Sequence, residues 1–323
     1  MAIVVTPESE PRTKARPNAV AVELTAVIVA VTGEEPRVLT VQDNQHGFDA
    51  LPTGPFESGH RTLQIGVRSW VERQTHHPLG YVEQLYTFAD RDRTRDGERL
   101  VSIGYLGLTQ EGHPTGESDP RWHNWYRFLP WEDHRSGPPT LVAQVITPRL
   151  RAWAKGAENA ATRRERRSRV DIAFGLSGRP WNEELALQRY ELLYEAGLVP
   201  EAKRRGPVAD PSPGAAMMHD HRRILATGVA RLRAKIKYRP VVFELMPASF
   251  TLLALQRTVE ALAGQRLHKQ NFRRLIDQQG LVEDTGQIAT QTGGRPAKLV
   301  RFRREVLLER AVVGTKLPLS RPA

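Results

Sequence analysis

Apolar residues change their spacing several times along this chain, and each change marks an expected element. Val20, Val22, Leu24, Ala26, Val27, Ile28, Val29 and Val31 form a run rich in β-branched side chains, the composition of a strand. Gly33-Glu34-Glu35-Pro36 has turn composition, and Arg37-Val38-Leu39-Thr40-Val41 supplies its hairpin partner. A loop follows, holding Gly47, Pro52, Gly54, Pro55 and Gly59. The spacing then lengthens to a helical period: Leu63, Val67, Trp70 and Val71 predict a helix over 61–75 with one buried face. Further strands are expected at 81–89 and 101–108, completing a mixed α/β domain that ends near Trp131. Trp122, Trp125, Tyr126 and Trp131 cluster there and are expected to serve packing.

The second half reads differently. A helix over 149–161 is expected to run into Arg163-Arg164-Glu165-Arg166-Arg167-Ser168-Arg169, either a solvated basic face or an arm for phosphates. Another helix is expected over 181–198, with Leu185, Leu187, Tyr190, Leu193 and Tyr194 apolar. Residues 202–214, with Lys203, Arg204, Arg205 and Gly206 among prolines, have linker composition. A basic helix over 219–237 and a short strand over 241–246 come next. Ser249 then offers a cap for a helix over 250–263, and Gly264 its stop. A second helix ends at Gly280, and strands at 281–282 and 299–302 flank a glycine-rich loop.

Two short helices, a tight turn and a two-stranded ribbon are the plan of a winged helix-turn-helix, whose second helix enters the major groove. That helix has an apolar back in Phe272, Leu275 and Ile276. Its front presents Gln270, Arg273, Arg274 and Asp277, with Lys269 and Asn271 on the flanks. Arg and Lys match guanine edges, Gln and Asn match adenine edges, and all of them reach phosphates. Arg295, in Gly-Gly-Arg-Pro, tips the proposed wing, and Lys298 lies just past it. The DNA-binding candidates are thus Lys269, Gln270, Asn271, Arg273, Arg274, Arg295 and Lys298.

Composition sharpens this picture. Lys and Arg number 47 against 36 Asp and Glu, a net charge of +11 that suits a polyanionic partner. Cysteine is absent, which excludes disulfides, thiolate zinc sites and cysteine nucleophiles. His76-His77 lacks the carboxylate–His spacing of a metal helix, so neither a metal nor a cofactor is expected. No apolar stretch nears the roughly 20 residues that span a bilayer, and the polar N-terminus is unlike a signal peptide. A cytoplasmic protein with no membrane partner is expected. The expected organisation is a tail over 1–16, an α/β domain over 17–165, a helical connector over 166–237 with a linker near 202–216, a winged helix over 238–312, and a tail over 313–323.

The loop Leu51-Pro52-Thr53-Gly54-Pro55-Phe56-Glu57-Ser58-Gly59-His60 and the helix behind it resemble the Nudix box. Gly54 stands at the box glycine, Arg68 at its arginine and Glu72 at the first of its paired glutamates. His60, Ser69 and Arg73 occupy the other three glutamate positions, Trp70 the first apolar one, and Thr75 and His76 the closing Gly-apolar pair. Nudix hydrolysis needs carboxylates to hold divalent cations against a pyrophosphate. One survives here, beside a cation, so hydrolysis is not expected. A scaffold of this kind can still bind a dinucleotide. Arg61 and Arg68 are candidate phosphate partners, with Gln64, Ser102 and Tyr105 completing the candidate pocket. The plainer role for Arg68 is an ion pair with Glu72 four residues on.

Degenerate box and winged helix together resemble the NrtR family of Nudix-related transcriptional regulators, most closely its NadQ-type repressors. The box at 51–76, the segments 101–108 and 181–185, and the stretch from Phe243 to Ala297 carry the resemblance. It implies a homodimer on palindromic operators of NAD biosynthesis or salvage genes, controlled by an adenine nucleotide such as NAD, ADP-ribose or ATP. Two alternatives stand beside it: a divergent Nudix hydrolase of ADP-ribose-type substrates with an accessory nucleic-acid-binding domain, and an RNA-binding or scaffold protein.

Overall fold

The computed structural model describes residues 20–42, 47–75, 79–90, 93–95, 98–111, 121–205, 214–289, 296–303 and 305. In chain order the strands and helices are β1 (Val20–Thr32), β2 (Glu35–Gln42), β3 (Asp49–Ala50), β4 (Thr53–Pro55), α1 (Leu63–Thr75), β5 (Tyr81–Phe88), β6 (Thr94–Arg95), β7 (Glu98–Leu108), β8 (Arg121–Asn124), α2 (Thr147–Lys155), α3 (Ala160–Phe174), α4 (Ala186–Glu195), α5 (His221–Lys235), α6 (Leu252–Ala263), α7 (Lys269–Gln279), β9 (Val282–Ala289) and β10 (Ala297–Phe302).

The first strands build a mixed sheet in the order β3–β2–β1–β7–β5, with β4 on β1, β6 on β7 and β8 on β2. β1 runs parallel to β7 in unbroken register, Val20 opposite Arg99 through Val29 opposite Leu108. Alternation along these strands sorts the side chains onto two faces. Leu24, Ala26, Ile28, Ile103 and Tyr105 meet Val67 and Val71 of α1 on one face. Val27, Val29, Leu106 and Leu108 meet α5 and its neighbours on the other. Gly228 lets α5 come close: a Cβ there would lie 2.9 Å from Val27 Cγ1.

That second cluster is continuous. It runs from Val27 and Trp125 through Val170, Tyr190 and Leu225 to Leu255, Phe272 and Val300. The α/β domain, the helical connector and the winged helix therefore share one buried core. Trp125, Tyr126 and Trp131 belong to it, with both tryptophans fully buried, whereas Trp122 packs against the cluster under α1.

Three local expectations change. The helix expected over 149–161 stops at Lys155, because Gly156 caps α2 and Asn159 starts α3 by accepting from Thr162 N at 2.9 Å. The domain boundary expected at 165 consequently falls inside α3. Val241–Leu245 forms a 3-10 turn after Pro240, not a strand. Val241, Val242, Phe243 and Leu245 are all buried, and so short an apolar run has no period to separate the two. The cap of α6 is Thr251, not Ser249: its Oγ1 accepts from Ala254 N at 3.0 Å. Thr251→Ala is expected to cost about 1 kcal/mol in urea unfolding, and Ser249→Ala less than about 0.5 kcal/mol.

Candidate nucleic-acid interface and ligand box

Two helices and a ribbon close the described chain as expected. α6 buries Leu255, Val259 and Leu262, and α7 buries Phe272 and Ile276 against it. The turn between them is held by Glu260, which is almost fully buried. Its carboxylate accepts from Leu267 N at 3.0 Å, Gln256 Nε2 at 2.8 Å, Arg257 Nη1 at 2.9 Å and Arg266 Nη1 at 2.7 Å. Burial pushes this carboxyl up, and the hydrogen bonds and arginines outweigh that, holding it below its ordinary value. Gly280 ends α7 in the left-handed region at φ +54°. β9 and β10 pair as the wing, whose base is the stack of Phe243 on Phe302 at 4.1 Å and the bridge from Phe250 to Val300.

The front of α7 matches the reading of the sequence. Lys269, Gln270, Asn271, Arg273 and Arg274 are exposed, and none has a side-chain partner among the described residues. Lys298 is exposed on β10 and pairs with Asp284 of β9 at 3.0 Å. Arg295 lies outside the described residues.

A buried charge cluster joins this module to the rest, and sequence reasoning missed it. Glu132, Arg189 of α4 and Arg233 of α5 have no exposed side-chain surface. Arg189 grips Glu132 with two bonds of 2.5 and 2.7 Å and donates to the carbonyls of Ala173 at 2.8 Å and Asn182 at 2.9 Å. Arg233 binds the same carboxylate and donates to Leu262 O, at the end of α6, at 2.9 Å. Burial raises the Glu132 carboxyl, and the two guanidiniums overcome it and hold the group below its ordinary value. Gly264 completes the joint at φ +73°: a Cβ there would lie 2.4 Å from Glu132 O. A signal existed. Arg189 sits beside Tyr190 between Ala186 and Leu193, and Arg233 follows Val229 by four residues, so both occupy core-facing helical positions.

The box loop is clamped onto α1. Gln74 accepts from Thr53 N at 3.2 Å and donates to Thr53 O at 2.8 Å. Trp70 donates to Pro55 O at 2.8 Å, and its ring occupies the space a Cβ on Gly54 would need, 2.1 Å away. Trp70 thus leaves the buried face assigned to it and seals the loop. At the altered glutamate positions, His60 Nδ1 accepts from Glu57 N at 3.1 Å, and Arg73 lies over the Trp70 ring at 4.2 Å. An open groove runs along α1, lined by Ile65, Arg68, Ser69, Glu72 and Arg73.

The expected ligand residues are not gathered there as one set. Arg68 lines the groove, but its guanidinium donates to the carbonyls of Leu79 and Gly80, the latter at 2.8 Å, instead of pairing with Glu72. The chain entering β5 offers two carbonyl acceptors to the two terminal nitrogens of the guanidinium, and a solvent-exposed pair with Glu72 would add little against them. Arg61, just before α1, and Gln64, in its first turn, are exposed, and neither lines the groove. Ser102 and Tyr105 are buried on opposite faces of β7, being an odd number of residues apart. Ser102 bonds Thr25 Oγ1 at 3.1 Å, and Tyr105 packs beneath α1. One ligand on the outer face of α1 cannot touch both.

The box loop also reaches α5. His221 Nδ1 accepts from Leu51 N at 2.9 Å, and Met218 N donates to Asp49 O at 3.0 Å. Burial drives the His221 imidazole down to about 4, so at neutral pH it is uncharged and its nitrogen can accept. Arg233, twelve residues further on, holds Leu262. One helix thus touches the box loop near its start and the DNA-type module near its end, about 18 Å apart.

Comparison with known proteins agrees with this two-part build. Residues 242–302 match the family model of the NrtR DNA-binding winged helix domain. A curated relative from Acinetobacter baylyi, the ADPR responsive transcriptional repressor NtrR, is 42% identical over 83 residues, which are 26% of this chain. The match spans one third (33%) of that relative's length. The fold resembles Shewanella oneidensis NrtR, solved with a 27mer DNA, at a TM-score of 0.55 and 20% identity over 91% of this chain and 98% of that one. It also resembles a MutT/nudix family protein from Enterococcus faecalis, at 0.52 and 13% over 90% of each chain. Residues 242–302 thus carry an NrtR-type DNA-binding winged helix, and the chain as a whole shares the two-part fold of the Shewanella protein.

Proposed function

We propose that this protein is a transcriptional repressor of NAD biosynthesis or salvage genes. It binds a palindromic operator as a homodimer through α7 and the wing, and its Nudix-like domain responds to an adenine nucleotide, ADP-ribose first among them. The observation that carries the reading is α7 itself: Phe272 and Ile276 are locked into the core while Gln270, Arg273 and Arg274 stand exposed and unengaged among the described residues. The repressor activity and response to ADP-ribose in the name of the Acinetobacter relative support the choice of effector. The box supports sensing over hydrolysis, since His60, Ser69 and Arg73 stand where carboxylates would hold Mg²⁺. Ligand in the α1 groove would act on the clamped loop, and α5 would carry the change to α6 through Arg233. The energy available is the ligand's differential affinity for the two arrangements.

Selection of duplexes from a random-sequence pool tests the reading. A palindromic consensus with half-sites a whole number of turns apart is expected. ADP-ribose at micromolar concentration is expected to change the affinity for that duplex by roughly 5–150-fold, with no turnover in Mg²⁺. Enrichment of no sequence would defeat the repressor assignment. Mg²⁺-dependent ADP-ribose cleavage by protein free of contaminants would favour a hydrolase.

A further inference from the structure

The basic run of α3 has a role left over once its structural work is subtracted. Arg166 lies over the Trp153 ring at 4.3 Å and donates to Trp153 O at 3.3 Å. Arg169 forms a two-bond pair with Glu195. Arg163, Arg164 and Arg167 are exposed, and their side chains have no partner among the described residues. They lie on one helical face, Arg163 and Arg167 one turn apart with Arg164 beside them.

This placement works against the helix. Its first turn carries no acidic residue, and Arg163 and Arg164 sit close to an N-terminus whose dipole already favours anions. Like charges four apart repel as well. Local conflict of this kind marks surfaces kept for binding. The far end of α3 is fixed to the DNA-type module: Ala173 O accepts from Arg189, which holds Glu132, which holds Arg233, which holds the end of α6. Arg167 lies about 9 Å and Arg163 about 15 Å along the helix from that joint.

We infer that Arg163, Arg164 and Arg167 form a second DNA contact, one that grips backbone phosphates of the same duplex that α7 reads. The inference rests on the DNA-binding reading of α7. Guanidiniums bind phosphate oxygens with paired hydrogen bonds and carry no base information in doing so. The contact therefore adds affinity and salt dependence and leaves sequence preference unchanged.

The test uses the full chain and a labelled duplex that it has selected from a random pool, with anisotropy read over a range of KCl concentrations. In R163A/R164A/R167A the slope of log K against log[salt] is expected to shrink by about two to three per bound protomer, near 0.9 per phosphate released. Preference for the selected duplex over a scrambled one stays as in the parent. Alanine favours helix and the three side chains hold nothing else, so folding is expected to survive. R163K/R164K/R167K keeps the charge and is expected to keep the slope. An unchanged slope in the folded alanine variant overturns the inference, as does a loss confined to structured RNA. Failure of the parent to prefer any duplex would instead overturn the reading of α7.

Discussion

Replacing Glu132 with alanine is expected to cost about 3–5 kcal/mol in urea unfolding, the range for orphaning one side of a buried ion cluster. The reason is what remains. Arg189 and Arg233 are fully buried and always charged, and Glu132 is the carboxylate they share. Removing it leaves two cations facing each other with no exposed side-chain surface. Glu132→Gln keeps the shape and an acceptor oxygen but not the charge, so it is expected to fall between parent and alanine. The pH dependence has a definite sign. The folded carboxyl lies below its ordinary value, so its contribution is complete above the unfolded carboxylate range and is lost as pH falls through the lower, folded value. Acid unfolding of the parent therefore includes a loss that Glu132→Ala no longer shows. The loss of stability should also loosen the DNA-type module, since Arg233 holds Leu262 O and Gly264 packs on Glu132 O. A variant as stable as the parent would show that the cluster contributes nothing net.

What the sequence made legible was whatever has a local cause. β1, β2, α1, α5, α6 and α7 follow from alternation, helical period and caps, and Gly264 and Gly280 sit at left-handed helix ends as their positions suggested. The exposed front of α7 was legible because an amphipathic helix shows both its faces at once. Long-range geometry was not. Glu132, Arg189 and Arg233 are scattered across about a hundred residues, and no local pattern says that they share one bond network. Ser102 and Tyr105 lie on opposite faces of β7, a separation that strand parity alone could have exposed. The expected Arg68–Glu72 pair is not formed because the partners of Arg68 are backbone carbonyls, which no residue type announces. Trp70 had the right period for the buried face, but the missing side chain of Gly54 gave it a better place.

Changing Arg273 and Arg274 together to alanine is expected to weaken binding to the selected duplex by at least about a hundredfold. Each well-formed Arg contact to a base edge is worth about 1–3 kcal/mol. Neighbouring residues do not add strictly, so the lower part of the summed range is the safe expectation. Both side chains are exposed on the face opposite Phe272 and Ile276, and neither bonds another described side chain, so the fold loses nothing by their removal. Gln270 shares that face and Lys269 opens the helix, where an N-terminus already favours phosphate. The two kinds of contact can be told apart. Loss at Arg273 and Arg274 should relax the preference at particular base pairs, whereas Lys269→Ala should lower affinity on selected and scrambled duplexes alike and reduce the salt slope by about one per bound protomer. Anisotropy on both duplexes reads the difference directly. Parental affinity in the folded double variant would remove α7 from the interface, and with it the argument that the degenerate box exists to control DNA binding.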